Sequence, residues 1–124
     1  MAKKIGFIGC GNMGTAMIAG MLESGKVEKI NMIASSPVGS DRTRMEEIYG
    51  ITATADNKEV ATFADIIFLA VKPQYYEEVL TEIKESLTEE KILVSITPGK
   101  TLAWLEEMAG KPRKVIRTMP NTPA

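Results

Sequence analysis

A doubly wound parallel α/β sheet of about six strands, with helices on both faces, is the fold this sequence predicts. Two observations carry the prediction. Short unbroken apolar runs, of the kind that fill strands buried on both faces, alternate with stretches whose apolar residues recur at helical spacing. Between the first run, Ile5–Ile8, and the first helical stretch lies Gly9-x-Gly11-x-x-Gly14. That order of strand, glycine turn and helix opens the Rossmann arrangement, in which a dinucleotide binds at the carboxyl ends of the strands.

Each element follows from its own pattern. Met13, Ala16, Met17, Gly20 and Met21 share one helical face that stops near Ser24-Gly25. Ile30–Ala34 predicts the second strand, and Met45 with Ile48 a second helix ended by Gly50. Ile51–Thr54 is a weaker strand and Ile66–Val71 a strong one. Val79, Leu80, Ile83 and Leu87 mark the next helix, whose other face carries Glu77, Glu78, Glu82 and Glu85. Ile92–Ile96 is the fifth strand, Leu102, Leu105 and Met108 mark a helix before Gly110, and Val115–Ile116 is the sixth strand.

The 124 residues are read as one domain, 1–124, large enough for a core and short for a two-substrate enzyme. Fifteen basic and sixteen acidic residues leave a net charge of −1, which excludes the electrostatic footprint of a nucleic-acid binder. No apolar run is long enough to cross a bilayer, and nothing resembles a signal peptide. A single cysteine excludes an internal disulfide and fits a reducing cytoplasm. The chain has no histidine, the commonest acid–base and metal-ligand side chain, and no metal site is expected.

In the glycine motif, Gly9 allows the tight turn, Gly11 lets the backbone approach the phosphates, and Gly14 lets helix and strand pack closely. The pyrophosphate then meets unpaired N–H groups at the positive end of the helix. The second strand runs into Ala34-Ser35-Ser36, where an NAD site would place a carboxylate for the ribose hydroxyls. Between Glu28 and Asp41 there is none; Ser35, Ser36, Arg42 and Arg44 stand there instead. Hydroxyls and guanidinium groups suit a 2′-phosphate, which predicts NADP(H) as the preferred cofactor and NAD(H) as the alternative. The plainer reading is a polar turn followed by two solvated arginines.

Other residues carry weaker signals. Pro73 starts a helix, where its missing N–H is tolerated. Lys72 reads equally as a helix-flanking charge or a cofactor contact, and Asn57 as a helix cap. The glutamates of residues 77–90 read as a solvated face. Cys10 reads as a small filler beside a phosphate rather than a nucleophile. Tyr75 and Tyr76 read as surface packing, and Lys111, Arg113, Lys114 and Arg117 as charges flanking a strand.

Taken together, these residues resemble the pyrroline-5-carboxylate reductases. The likeness rests on Ile5–Gly14, on Asp65-Ile66-Ile67-Phe68-Leu69-Ala70-Val71-Lys72-Pro73, on Val94-Ser95-Ile96 with Gly99, and on Arg117-Thr118-Met119-Pro120-Asn121-Thr122-Pro123. The resemblance implies a domain that presents a hydride to the C5=N bond of 1-pyrroline-5-carboxylate, giving L-proline. It assigns the pyrophosphate to the loop from Gly9 through Cys10, Gly11 and Asn12 to Met13, with Ile8 and Gly14 as further cofactor contacts. The adenosine 2′ position falls to Ser35 or Ser36, and Arg42 joins the cofactor-binding residues on its charge. It makes Asn57, Ala70, Val71, Lys72, Pro73 and Asn121 cofactor contacts, and puts Thr97 beside the nicotinamide. Thr97-Pro98 is bulkier than the small residues the family commonly carries there, and Pro98 has no N–H to donate.

The family continues past this point into a helical domain that forms a homo-oligomer and supplies most of the substrate pocket. The resemblance therefore implies no catalytic residue within these 124 residues, and a chain that by itself is inactive and either monomeric or held by a non-native contact. Two alternatives share the same cofactor motif: the cofactor domain of a related reductase or β-hydroxyacid-type dehydrogenase, and a non-catalytic NADP(H)-binding module.

Overall fold

The computed structural model describes residues 3–96, 100–110 and 114–118. Its strands are β1 (Ile5–Ile8), β2 (Met32–Ser35), β3 (Thr52–Thr54), β4 (Ile66–Leu69), β5 (Ile92–Ser95) and β6 (Lys114–Arg117). Its α-helices are α1 (Asn12–Glu23), α2 (Gly39–Arg44), α3 (Asn57–Phe63), α4 (Tyr76–Ile83) and α5 (Leu102–Ala109). The strands form one sheet in the order β3–β2–β1–β4–β5–β6, and every pair is parallel. The doubly wound sheet expected from the sequence is the observed one.

Side chains alternate across the strands, and the two sets enter separate cores. Ile5 and Phe7, with Met32 and Ala34, face Ile18 of α1 and Met45 beyond α2. Ile8, Ile33, Ile67, Leu69 and Leu93 face the opposite way, onto α3, α4 and α5. Phe7 and Phe68 are register partners on β1 and β4, and their rings stack at 4.7 Å. Beyond β4 the α1 face of the sheet is covered only in part: Ile66, Phe68, Ile92 and Ile116 are half-buried there.

Several expectations shift in detail, each for a packing reason. The buried line of α1 is Gly14 and Ile18, whereas Ala16 and Gly20 are exposed. Close approach to the strand at Gly14 sets the phase of this helix, and the methionines flank that line. Strand β2 begins at Met32, because Lys29–Asn31 make a 3₁₀ turn that leaves Ile30 79% exposed. Strand β4 ends at Leu69, so Ala70 and Val71 belong to the turn above it. The second helix begins at Gly39, ahead of Met45, and finishes as a π-helical turn at Met45–Tyr49; Met45 is buried but Ile48 is exposed.

Tyr76 corrects the expectation of surface packing for the tyrosine pair. It is fully buried, and its hydroxyl lies 2.8 Å from Ser95 Oγ and donates to the Leu69 carbonyl at 3.2 Å. Buried polar groups need such partners, and this one ties α4 to the ends of β4 and β5. Tyr75, one residue earlier in the 3₁₀ turn Pro73–Tyr75, is half exposed.

Candidate dinucleotide-binding site

Strands β1 and β4 lie side by side, yet α1 leaves β1 on one face of the sheet and α4 leaves β4 on the other. Such a switch point opens a crevice at the carboxyl ends of the strands. The glycine loop sits there. Gly9 has φ +103°, and a Cβ on it would stand 2.8 Å from the Ala70 backbone. Its N–H donates to the Ser35 carbonyl at 2.9 Å, which pins the turn to β2. A Cβ on Gly14 would come within 3.0 Å of Ala70 Cβ, so the helix could not lie as close.

Gly11 differs from both. Its φ of −73° and ψ of −177° suit any residue, and the nearest atom to an added Cβ is Ala70 O, 4.0 Å away. Neither backbone strain nor protein packing calls for glycine here. The space it keeps open borders the cleft, and α1 starts beside it with no side-chain cap on its N–H groups. Both features fit a pyrophosphate lying on the loop.

The cleft has a volume of about 600 Å³. Its walls include Gly9, Cys10 and Gly11 of the loop, Ser35, Ser36, Pro37, Val38 and Asp41 after β2, Ala55 and Asn57 before α3, and Ala70, Val71 and Lys72 after β4. Nine of the seventeen residues assigned from the sequence thus meet on one surface, formed by four separate segments. Thr97 and Asn121 lie outside the described residues.

The other six are not on the cleft walls. Asn12, Met13 and Gly14 form the first turn of α1, and Pro73 opens the turn into α4. Ile8 is buried in the core, and its carbonyl accepts the Ala70 N–H at 2.8 Å, so it supports the loop from beneath. Arg42 donates to the Ser36 carbonyl at 2.8 Å and is not on the cleft wall.

Asn57 is not the cap of its helix. Asp56 caps α3 by accepting the Lys58 N–H at 3.0 Å. Asn57 Oδ1 accepts instead from the Ser35 hydroxyl at 2.6 Å, joining the end of β2 to the start of α3 across the cleft floor. Cys10 is 6% exposed, and its thiol donates to the Ser35 carbonyl. Burial pushes its pKa up to about 11; the Asp41 carboxylate adds to the effect and the Arg44 guanidinium opposes it. A thiol this basic is neutral at ordinary pH, which agrees with a filler and not a nucleophile.

Besides Pro37, Val38, Asp41 and Ala55, four wall residues on one element escaped the sequence reading: Tyr75, Glu78, Val79 and Glu82. They recur at i, i+3, i+4 and i+7, so a single face of the α4 region supplies them. The signal was present, but a half-polar stripe does not distinguish a cleft wall from a solvated surface. Among the described residues no cluster could hold a metal ion, and no helix is long and apolar enough to cross a membrane.

Comparison with known proteins agrees with this geometry. Residues 4–99 match the family profile described as NADP oxidoreductase, coenzyme F420-dependent. Over all 124 residues the chain is 47% identical to the pyrroline-5-carboxylate reductase of Escherichia coli K12, and covers 46% of that protein. The Coxiella burnetii pyrroline-5-carboxylate reductase superposes with a TM-score of 0.91 at 31% identity, over 99% of this chain and 46% of its own. The Plasmodium falciparum pyrroline carboxylate reductase, solved with NADP bound, gives 0.83 at 36% identity, over 98% of this chain and 43% of its own. The chain thus spans less than half the length of these relatives.

Proposed function

This chain belongs to the family of NADP oxidoreductases described as coenzyme F420-dependent, and from that premise we propose that residues 1–124 are the cofactor-binding domain of a pyrroline-5-carboxylate reductase. The observation that carries the proposal is the glycine loop at the β1/β4 switch point, with the space in front of Gly11 kept clear. The whole-chain likeness to pyrroline-5-carboxylate reductases supports the choice of reaction. NADP(H) is the preferred cofactor and NAD(H) the alternative. The absence of a carboxylate between Glu28 and Asp41 in the sequence, and the NADP bound to the Plasmodium falciparum reductase, support that order.

When bound, the reduced nicotinamide supplies the hydride for the C5=N bond of 1-pyrroline-5-carboxylate, giving proline. The protein's own part is positional. The Gly9–Gly11 turn and the first N–H groups of α1 hold the pyrophosphate. Asn57 and Ser35, joined to each other, would hold the adenosine ribose, while Val38 and Tyr75, each 50% exposed, would offer apolar surface to the adenine. Lys72 adds a positive charge on the opposite wall. Thr97, expected beside the nicotinamide, and Asn121 complete the contacts that the family resemblance implies. Proton donation and the hold on the substrate carboxylate fall to a helical domain that also makes the homo-oligomer, in the cytoplasm.

Calorimetric titration of this chain with NADPH and NADH tests the cofactor half. Heat with NADPH is expected, and no binding of either dinucleotide rejects the proposal. Loss of NADPH absorbance on addition of 1-pyrroline-5-carboxylate, by a protein that joins this chain to the rest of a reductase, tests the acceptor.

A further inference from the structure

Sequence spacing suggests that no carboxylate follows β2, yet the fold returns one to the site. Asp41, in the first turn of α2, lines the same cleft as Ser35, Ser36 and Asn57. Its two oxygens are used differently. Oδ2 accepts from the Ser36 hydroxyl at 3.0 Å, and Oδ1 pairs with the Arg44 guanidinium at 3.1 Å. Arg44 also reaches the Cys10 carbonyl at 3.0 Å, so the pair is anchored to the glycine loop. The other arginine of this helix is directed at the Ser36 carbonyl.

The geometry points to Asp41 as the residue that sets the balance between NADPH and NADH, a role that rests on the dinucleotide site proposed above. Three effects act in the same direction. A carboxylate beside the 2′ position repels a phosphate dianion. The same carboxylate occupies the Ser36 hydroxyl and the Arg44 guanidinium, the donors such a phosphate would use. Toward an unphosphorylated ribose it behaves oppositely, because a carboxylate accepts from a 2′-hydroxyl. Asp41 therefore restrains a preference for NADPH that Ser36 and Arg44 would otherwise express in full.

Calorimetric Kd values for NADPH and NADH on the wild-type chain and on Asp41→Asn, Asp41→Ala and Arg44→Met test this. Both Asp41 variants are expected to bind NADPH about tenfold more tightly, with NADH unchanged or weaker. Arg44→Met, which leaves the carboxylate unneutralised, shifts the ratio the other way. It keeps the test open if the Asp41 variants fail to fold. Variants that bind both dinucleotides in the wild-type ratio, or lose both in parallel, overturn the role of Asp41 and leave the proposed function standing. A wild-type chain that binds neither dinucleotide overturns both.

Discussion

At the residue scale, Cys10 couples its environment to stability. Burial holds its folded pKa at about 11 against an ordinary 9.0, so the folded chain keeps the proton that the unfolded chain has released. Stability is unaffected below about pH 9 and falls as the pH rises from there toward 11. A gap of that size corresponds to roughly 2–3 kcal/mol. Lys91, whose ammonium burial pushes its pKa down, acts in the opposite direction, so the comparison must be made by difference. Urea unfolding of the wild type and Cys10→Ala across this range should give curves that separate steadily, the variant losing less. Parallel curves would show that the thiol titrates as it does in water.

At the scale of the element, α3 separates capping from binding. Asp56 satisfies the helix start, which leaves Asn57 able to bridge to Ser35. Asp56→Ala should lower unfolding stability by about 1 kcal/mol, read from the urea midpoint. NADPH affinity should stay where it was, because Asp56 is not on the cleft wall. A matching loss of affinity would mean that the cap and the site are not separable. Helix α4 makes a similar division: Tyr76, Val79, Leu80 and Ile83 are buried, while Glu78 and Glu82 stand on the cleft wall beside Val79.

At the scale of the whole molecule, the seam between β1 and β4 joins stability and binding at neighbouring glycines. Gly9→Ala forces a left-handed conformation on a residue with a Cβ and drives that atom into the Ala70 backbone. The conformational part alone is on the order of 1–3 kcal/mol. Gly11→Ala meets open space, so its effect on folding should be at most about 1 kcal/mol, from the weaker helix-start preference of alanine. In the proposed site its methyl group would take the place of the phosphates, and NADPH binding should fall more than tenfold. Thermal unfolding and calorimetry on the two variants separate the roles. Equal stability losses would remove the ground for assigning the space before Gly11 to a ligand.

The sequence by itself determined the alternation of strands and helices, with α3 marked only by a cap, the glycine turn between β1 and α1, and the class of ligand that such a turn admits. These follow from short-range causes: apolar periodicity, the freedom of Gly9, and the unpaired N–H groups of a helix start. Tertiary structure decided which side chains share the cleft. Asp41 looked too late in the chain to matter, and returns because Ser36 and the first turn of α2 fold back on one another. Asn57 looked like a cap until Asp56 took that place, and Tyr76 looked superficial until Ser95 and Leu69 received its hydroxyl. Helical phase and the pairing of distant strands are set by contacts between residues far apart in sequence, and no local pattern records them.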